Sequence, residues 1–263
     1  MQSEKKPAIQ TEYDKAQALY EKGKYQKALE QFIRIAPEWP DLSVLNYIGC
    51  CYIGTQDYEK AEEIFRSLIA KSPDWERPYF NLARVLLEAD KEEEAYAYLQ
   101  RAIALNPSNA DSYFYLGVYY RKKRQWDRAL DCFLKSEKLD DRDAEVHINL
   151  SACYAETGEL EKSLSEAQKA LEQRPSDPDA LYNVSRVLIW LKEYEKAFQV
   201  LHNQRESIHG DLGLLKNLFA SALLLEKYDV CTETAKSILA IDENDTASKK
   251  FLTDIQYQTE KMS

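Results

Sequence analysis

The sequence predicts an all-α protein made of about seven helical hairpins in tandem, and three observations carry that expectation. Small residues recur at a fixed step of 34: Ala61, Ala95 and Ala129, then Ser163, Ala197 and Cys231, with the large apolar Phe65, Leu99 and Phe133 keeping the same step. Within each period the apolar residues are spaced by three and four, as on one face of an α-helix, in two blocks joined by a short polar link and closed by a turn. Finally, the 263 residues include only 7 Gly and 8 Pro but 18 Tyr and 30% charged residues, too few loop formers for a chain of many short strands.

Taken in order, the first hairpin (9–41) is one residue short, since Ala28 to Ala61, Phe32 to Phe65 and Pro40 to Pro73 are each 33 apart. It keeps Ala16, Gly23, Tyr25, Ala28, Phe32 and Pro40. The second (42–75) carries Leu45, Ile48, Gly49, Tyr52, Tyr58, Ala61, Phe65 and Pro73, and the third (76–109) carries Tyr79, Leu82, Ala83, Leu86, Ala95, Leu99, Ala102 and Pro107. In the fourth (110–143), Tyr113, Leu116, Gly117 and Tyr120 form one block and Trp126, Ala129, Phe133 and Leu139 the other. Small Gly117 and Ala129 let two helices approach, and Tyr120 and Phe133 fill the space beside them. The fifth (144–177) keeps Leu150, Ser151, Tyr154, Gly158, Ala170 and Pro175.

The later units depart from this pattern. Asp141 replaces the closing Pro of the fourth; the sixth (178–211) runs into HNQRESIHGD, with Gln204 and His209 at the usual Ala and Pro positions; the seventh (212–245) has bulky Phe219 where Gly or Ala is expected. Residues 1–8 are left as an N-terminal extension. In 246–263, Phe251, Leu252 and Ile255 share one helical face, as in a capping helix that closes an open stack.

These residues at a 34-residue period resemble the tetratricopeptide repeat (TPR), whose pattern of Trp, Leu, Gly, Tyr, Ala, Phe and Pro they follow over about residues 9–245. The resemblance implies a right-handed superhelical solenoid whose concave groove is lined by the first helix of each hairpin, and a protein-binding role.

Composition and motifs narrow the function further. The net charge of −10 opposes a broad nucleic-acid or anionic-membrane surface. No apolar run at the N-terminus suggests a signal peptide and no stretch is long enough for a membrane span, so a soluble cytoplasmic chain is expected. Five cysteines, Cys50, Cys51, Cys132, Cys153 and Cys231, lack CxxC spacing and read as reduced thiols. The histidines His147, His202 and His209 form no HExxH, and phosphate-binding glycine loops are absent, so neither an enzyme, a cofactor nor a metal is expected. DKEEE (90–94) reads as a solvated edge and RKKRQW (121–126) as a basic run that docks an acidic segment or sits in a solvated turn.

A peptide-binding groove is the remaining candidate. Just before the motif Leu stand Asn81, Asn149, Asn183 and Asn217, interrupted by Tyr115, a partial ladder whose amides can grip an extended backbone without choosing sequence. Phe80, Phe114, Ile148 and Tyr182 adjoin it, and Arg84, Arg121 and Arg186 favour an acidic ligand. Aromatic-Asn-Leu is also what an average repeat of the family carries. Two alternatives stand beside the adaptor: a co-chaperone-like clamp for acidic C-terminal tails, which Tyr13, Gln17, Asn46 and Cys50 at the clamp positions disfavour, and a self-assembling scaffold, if Ile189 and Trp190 are exposed.

Overall fold

The structure, a computed structural model, describes residues 2–39, 41–140 and 144–262, with side chains over 9–39, 41–140 and 144–257. Pro40 and Asp141 lie outside the described residues. Among the described residues all regular structure is helical. The chain divides into two compact units, Met1–Gln125 and Trp126–Ser263.

The first unit contains the hairpins α1 (Gln2–Glu21) with α2 (Tyr25–Ile35), α3 (Leu42–Gly54) with α4 (Tyr58–Lys71) and α5 (Arg77–Glu88) with α6 (Glu92–Leu105), followed by α7 (Ala110–Lys122). The second begins with α8 (Trp126–Leu139) and continues with α9 (Ala144–Glu156) and α10 (Leu160–Gln173), α11 (Pro178–Trp190) and α12 (Tyr194–His202), the short α13 (Arg205–Ile208), α14 (Leu212–Leu224) and α15 (Tyr228–Ile241), and α16 (Thr246–Met262).

The turn inside every hairpin has one conformation. Its second residue is left-handed: Gly23 (φ 68°) and Gly158 (φ 84°) in two hairpins, but Gln56, Asp90, Arg124, Lys192 and Glu226 in the others, at φ of 55 to 63°. That residue and the next donate back to the last turn of the preceding helix, as in Lys192 N–H to Ile189 O (3.0 Å) and Glu193 N–H to Leu188 O (2.8 Å), satisfying carbonyls the helix end would otherwise orphan. The first helices α3, α7, α11 and α14 start on a side-chain cap, with Asp41, Asn109, Asp177 and Asp211 accepting from first-turn N–H groups, whereas α5 starts without one.

Close helix crossings set the core. A Cβ on Gly49 would come within 2.7 Å of the Phe65 ring, so only glycine lets α3 and α4 meet there. Ala16 with Phe32 and Ala83 with Leu99 repeat the pairing, all four fully buried. In α14 and α15 the pair is exchanged: bulky Phe219 belongs to one buried cluster with small Ala235 and Cys231. The edge of the Phe219 ring also meets Phe251 of α16 (5.4 Å, 85°), and Phe251 and Leu252 pack on that cluster.

Two other departures acquire physical reasons. Helix α12 stops after 9 residues, where α4, α6, α8, α10 and α15 each run 14. The chain then turns through α13 and places Ile208, 2% exposed, in the core with Leu201 and Leu214. The acidic edge and the basic run of the first unit pair with each other: Lys123 Nζ lies 2.5 Å from Glu92 and 3.1 Å from Glu93, and Lys122 Nζ 2.8 Å from Asp90. Those carboxylates hold the Lys123 ammonium charged well above its usual range.

Two stability predictions follow. Ala95→Leu overfills a fully buried crossing and is expected to cost ~1–3 kcal/mol, whereas Lys91→Leu, at an exposed site with one ion pair to Glu62, costs under about 1; equal denaturation shifts would contradict the packing. Gly158→Ala, which forces a Cβ into the left-handed region, is expected to cost about 1 kcal/mol, while Lys192→Gly in the equivalent turn is neutral or stabilising by up to ~1 kcal/mol. Urea midpoints at constant m-value check both.

Candidate functional site

The candidate residues fall into two sets, one on each unit. In the first, Phe80 and Phe114 are 93% buried and Tyr115 is half-buried. The Tyr115 ring lies parallel to Phe80 (6.5 Å, 13°) and under the Arg84 guanidinium (5.8 Å), a cation–π arrangement. Asn81 is buried, and its Nδ2 donates to Asn46 Oδ1 on α3 at 3.1 Å; Asn46 Nδ2 in turn points to Cys50 Sγ at 3.8 Å. Arg121 stands exposed near the end of α7. Tyr20 and Cys50 sit in Arg84's field: burial pushes the Tyr20 hydroxyl up and the Cys50 thiol up to about 11, and the arginine's charge opposes both shifts.

The second unit holds Asn149, Asn183, Asn217, Tyr182 and Arg186. Asn183 Nδ2 donates to Ile148 O (3.0 Å) and Asn217 Nδ2 to Ser185 Oγ (2.9 Å), each joining its helix to the first helix of the preceding hairpin. Asn149 Nδ2 instead donates within its own helix, to Glu145 O at 2.8 Å. Each asparagine of the row therefore spends a donor inside the protein, chiefly as a stitch between successive first helices.

Arg186 is placed differently. Its guanidinium lies 5.3 Å from the Tyr182 ring centroid and 4.8 Å from that of Trp190, with Glu156 at 3.7 Å, and its buried Nε has no hydrogen-bond partner. Tyr182 and Trp190 are 36% and 46% exposed, so the cation is framed by two rings that face outward. Gly213 makes room for this: a Cβ there would press on the Tyr182 ring at 3.2 Å.

Sequence reasoning missed Tyr20 as a member of these faces and named Asn46 and Trp190 only for the clamp and for self-association. Asn46 lies at the repeat position of Phe80 rather than of Asn81, so following one column passes it by. The clamp positions are occupied internally: Tyr13 packs on Phe32, Trp39 and Tyr47, Gln17 donates to Glu21 at 3.0 Å, and Asn46 is held by Asn81 and Cys50. Among the described residues no helix is long and apolar enough to cross a membrane.

Comparison with known proteins places this geometry. Three tetratricopeptide-repeat models match residues 13–74 and 116–178, 52–110, and 98–131, together an unbroken span. The chain is 28% identical over 181 residues to the tetratricopeptide repeat-containing protein trd-1 of Caenorhabditis elegans, covering 68% of this chain and 23% of that one. It is 26% identical over 159 residues to Hsp70-Hsp90 organizing protein 1 of Glycine max, covering 60% and 26%. The chain thus spans about a quarter of the length of these curated relatives. Among solved structures it is similar in fold to the APC/C hetero-tetramer Cut9-Hcn1 (TM-score 0.76, 16% identity, 90% of this chain and 47% of that one). It is also similar in fold to YrrB, described as a TPR protein with an unusual peptide-binding site (TM-score 0.61, 20% identity, 72% and 98%). Repeats of this kind mediate protein–protein interactions. With its 34-residue hairpins, its small-against-large crossings and model matches running from residue 13 to 178, the chain belongs to the tetratricopeptide-repeat family.

Proposed function

We propose that the chain is a non-catalytic adaptor that binds an extended, acidic segment of another protein along the faces of its first helices. The observation that carries this reading is Arg186, a guanidinium framed by the outward-facing rings of Tyr182 and Trp190 with its Nε buried and unpartnered. A carboxylate of a bound segment pairs with the terminal N–H groups of that guanidinium, and the rings cover its aliphatic part; a partly desolvated charge-assisted contact of this kind is worth more than a surface pair. Since Asn183 and Asn217 each commit an Nδ2 N–H internally, their contribution to a ligand is chiefly through Oδ1, accepting from backbone N–H. In the first unit Arg84, Tyr115 and Arg121 supply the corresponding cation and ring contacts. That YrrB is described as having a peptide-binding site supports the reading by analogy of fold. The free state of Cys50, Cys51, Cys132, Cys153 and Cys231 suits a reducing, cytoplasmic setting.

An array of unstructured peptides of varied charge, probed with the full chain and followed by Trp fluorescence, tests the proposal. Acidic peptides are expected to bind best, Arg186→Ala to weaken them about tenfold or more (~1.4 kcal/mol) without lowering the melting temperature, and amidation of the peptide C-terminus to change nothing. Preference for neutral or basic peptides, or indifference to Arg186→Ala, would overturn it. Loss of binding on amidation would favour a carboxylate clamp, and concentration-dependent sedimentation abolished by Trp190→Ala would favour self-assembly.

The asparagines divide by the same logic. Asn183→Ala removes a buried link to the Ile148 carbonyl, which keeps its own helical partner, and is expected to cost ~0.5–1.5 kcal/mol of stability, whereas Asn149→Ala, which removes a bond within one half-exposed helix, costs less and shows itself in peptide affinity. Equal thermal losses would remove Asn149 from the binding face.

A further inference from the structure

The repeat register exposes a polar cluster in the second unit that neither the family pattern nor the binding face accounts for. His147 on α9 stands where Leu45, Tyr79, Tyr113, Leu181 and Leu215 stand in other repeats, with Glu12 of the first repeat the other polar member. Glu137 on α8 takes the position of Ile69, Ile103, Leu171 and Leu239, with Arg205 the other polar exception, and Glu166 on α10 that of Ile64, Tyr98, Cys132 and Val200, with Gln31 and Thr234 its other polar members. A single such exchange would bury a polar group among apolar neighbours at a cost of a few kcal/mol. Here all three occur at one junction and converge: His147 Nδ1 lies 2.8 Å from Glu166 Oε2 and 3.6 Å from Glu137 Oε1, and one ligand-type atom from each of the three lies within 4.8 Å of the others. His147 is 4% exposed and the two carboxylate side chains are 24% and 13% exposed, so the group is sheltered but reachable.

We propose that His147, Glu137 and Glu166 form a site for one divalent cation of the zinc class. One imidazole nitrogen with two carboxylates is a mixed nitrogen and oxygen donor set that suits zinc and its first-row neighbours better than magnesium or calcium, which favour all-oxygen sites. Bonds of about 2.0–2.2 Å set neighbouring ligand atoms roughly 3–3.5 Å apart, a spacing the three reach with small side-chain rotations. The helices that carry them pack together, so the site is braced before any ion arrives.

Lys169 is the element that competes. Its Nζ lies 2.9 Å from Glu166 Oε1 and 3.4 Å from Glu137 Oε1, bridging the two carboxylates, and its side chain is 45% exposed. The ammonium is the built-in counter-cation; an incoming metal takes over its charge, and the lysine swings into solvent. Coordination uses the Nδ1 lone pair, so the ring carries its proton on Nε2, and any proton held on Nδ1 passes to solvent. The consequence for the fold is a cross-link between α8, α9 and α10, three helices of two successive hairpins.

The test uses the full chain without an affinity tag, stripped with a chelator, and Co²⁺ or Zn²⁺ alone as the probe. Wild type is expected to take up one equivalent of Co²⁺ with a saturable visible absorption band, and Zn²⁺ is expected to raise its melting temperature. His147→Leu, which installs the residue three other repeats carry at that position, and Glu166→Gln are each expected to weaken binding by about tenfold or more. Lys169→Gln is expected to tighten it several-fold, roughly the effect of removing a competing charge near the surface. The proposal is overturned if wild type shows no saturable uptake, if both ligand variants bind as wild type does, or if Lys169→Gln melts lower and binds metal no more tightly, which is the behaviour of a plain ion-pair network.

Discussion

Two helices can cross closely only where one of them lacks a side chain of any size, and much of this structure depends on meeting that condition once per hairpin. The constraint belongs to a pair of positions 16 residues apart, as Ala16 with Phe32, Gly49 with Phe65 and Ala83 with Leu99 show. It fixes how far the two helices interpenetrate and therefore which residues of the first helix are left to face a neighbour or a ligand. Because the core is packed to near crystal density, volume surrendered on one helix must be recovered on the other. Phe219 and Ala235 obey the same rule with the sizes exchanged, and the ring so placed becomes the surface against which Phe251 of α16 lies.

That exchange marks the boundary of what was legible in the residues alone. Periodicity made the hairpins visible, since a helical stripe and a 34-residue step are properties of one chain read in one dimension. Phe219 looked anomalous because it was judged against its own column; judged with its partner it is ordinary. The intra-hairpin turn was only partly visible, because glycine marks the left-handed residue in two hairpins and five others place side-chain-bearing residues there. The two hydrogen bonds each such residue and its successor close onto the preceding helix hold the conformation regardless.

The asparagine column was legible by position but not by partnership. It was correctly located on the first helices, but where an amide points depends on the rotation between neighbouring hairpins, which no spacing rule reports. Asn81 meets Asn46, Asn183 meets the Ile148 carbonyl and Asn217 meets Ser185, so the row serves packing before it can serve recognition. Arg186 emerged as the more distinctive group only once Trp190, four residues along the same helix, was seen to share it with Tyr182. The charged runs behaved likewise: the lysines of RKKRQW and the acids of DKEEE, separate in sequence, neutralise each other across successive turns.

A repeat array gives each junction the same default chemistry, so a group of departures at one junction carries more information than the same residues scattered. Isolated changes, such as Gln204 in place of a small residue, were absorbed by shortening α12 and bringing Ile208 into the core. The departures at Glu137, His147 and Glu166 could not be absorbed in that way, because each side chain is polar and each lies on a face that most other repeats fill with apolar groups; they satisfy one another instead. Motif searches look for ligands spaced along one helix, whereas here they come from three helices, 10 and 19 residues apart along the chain. Comparing the columns of the repeat with one another recovers such a cluster, since the chain supplies its own internal reference for what each position ordinarily holds.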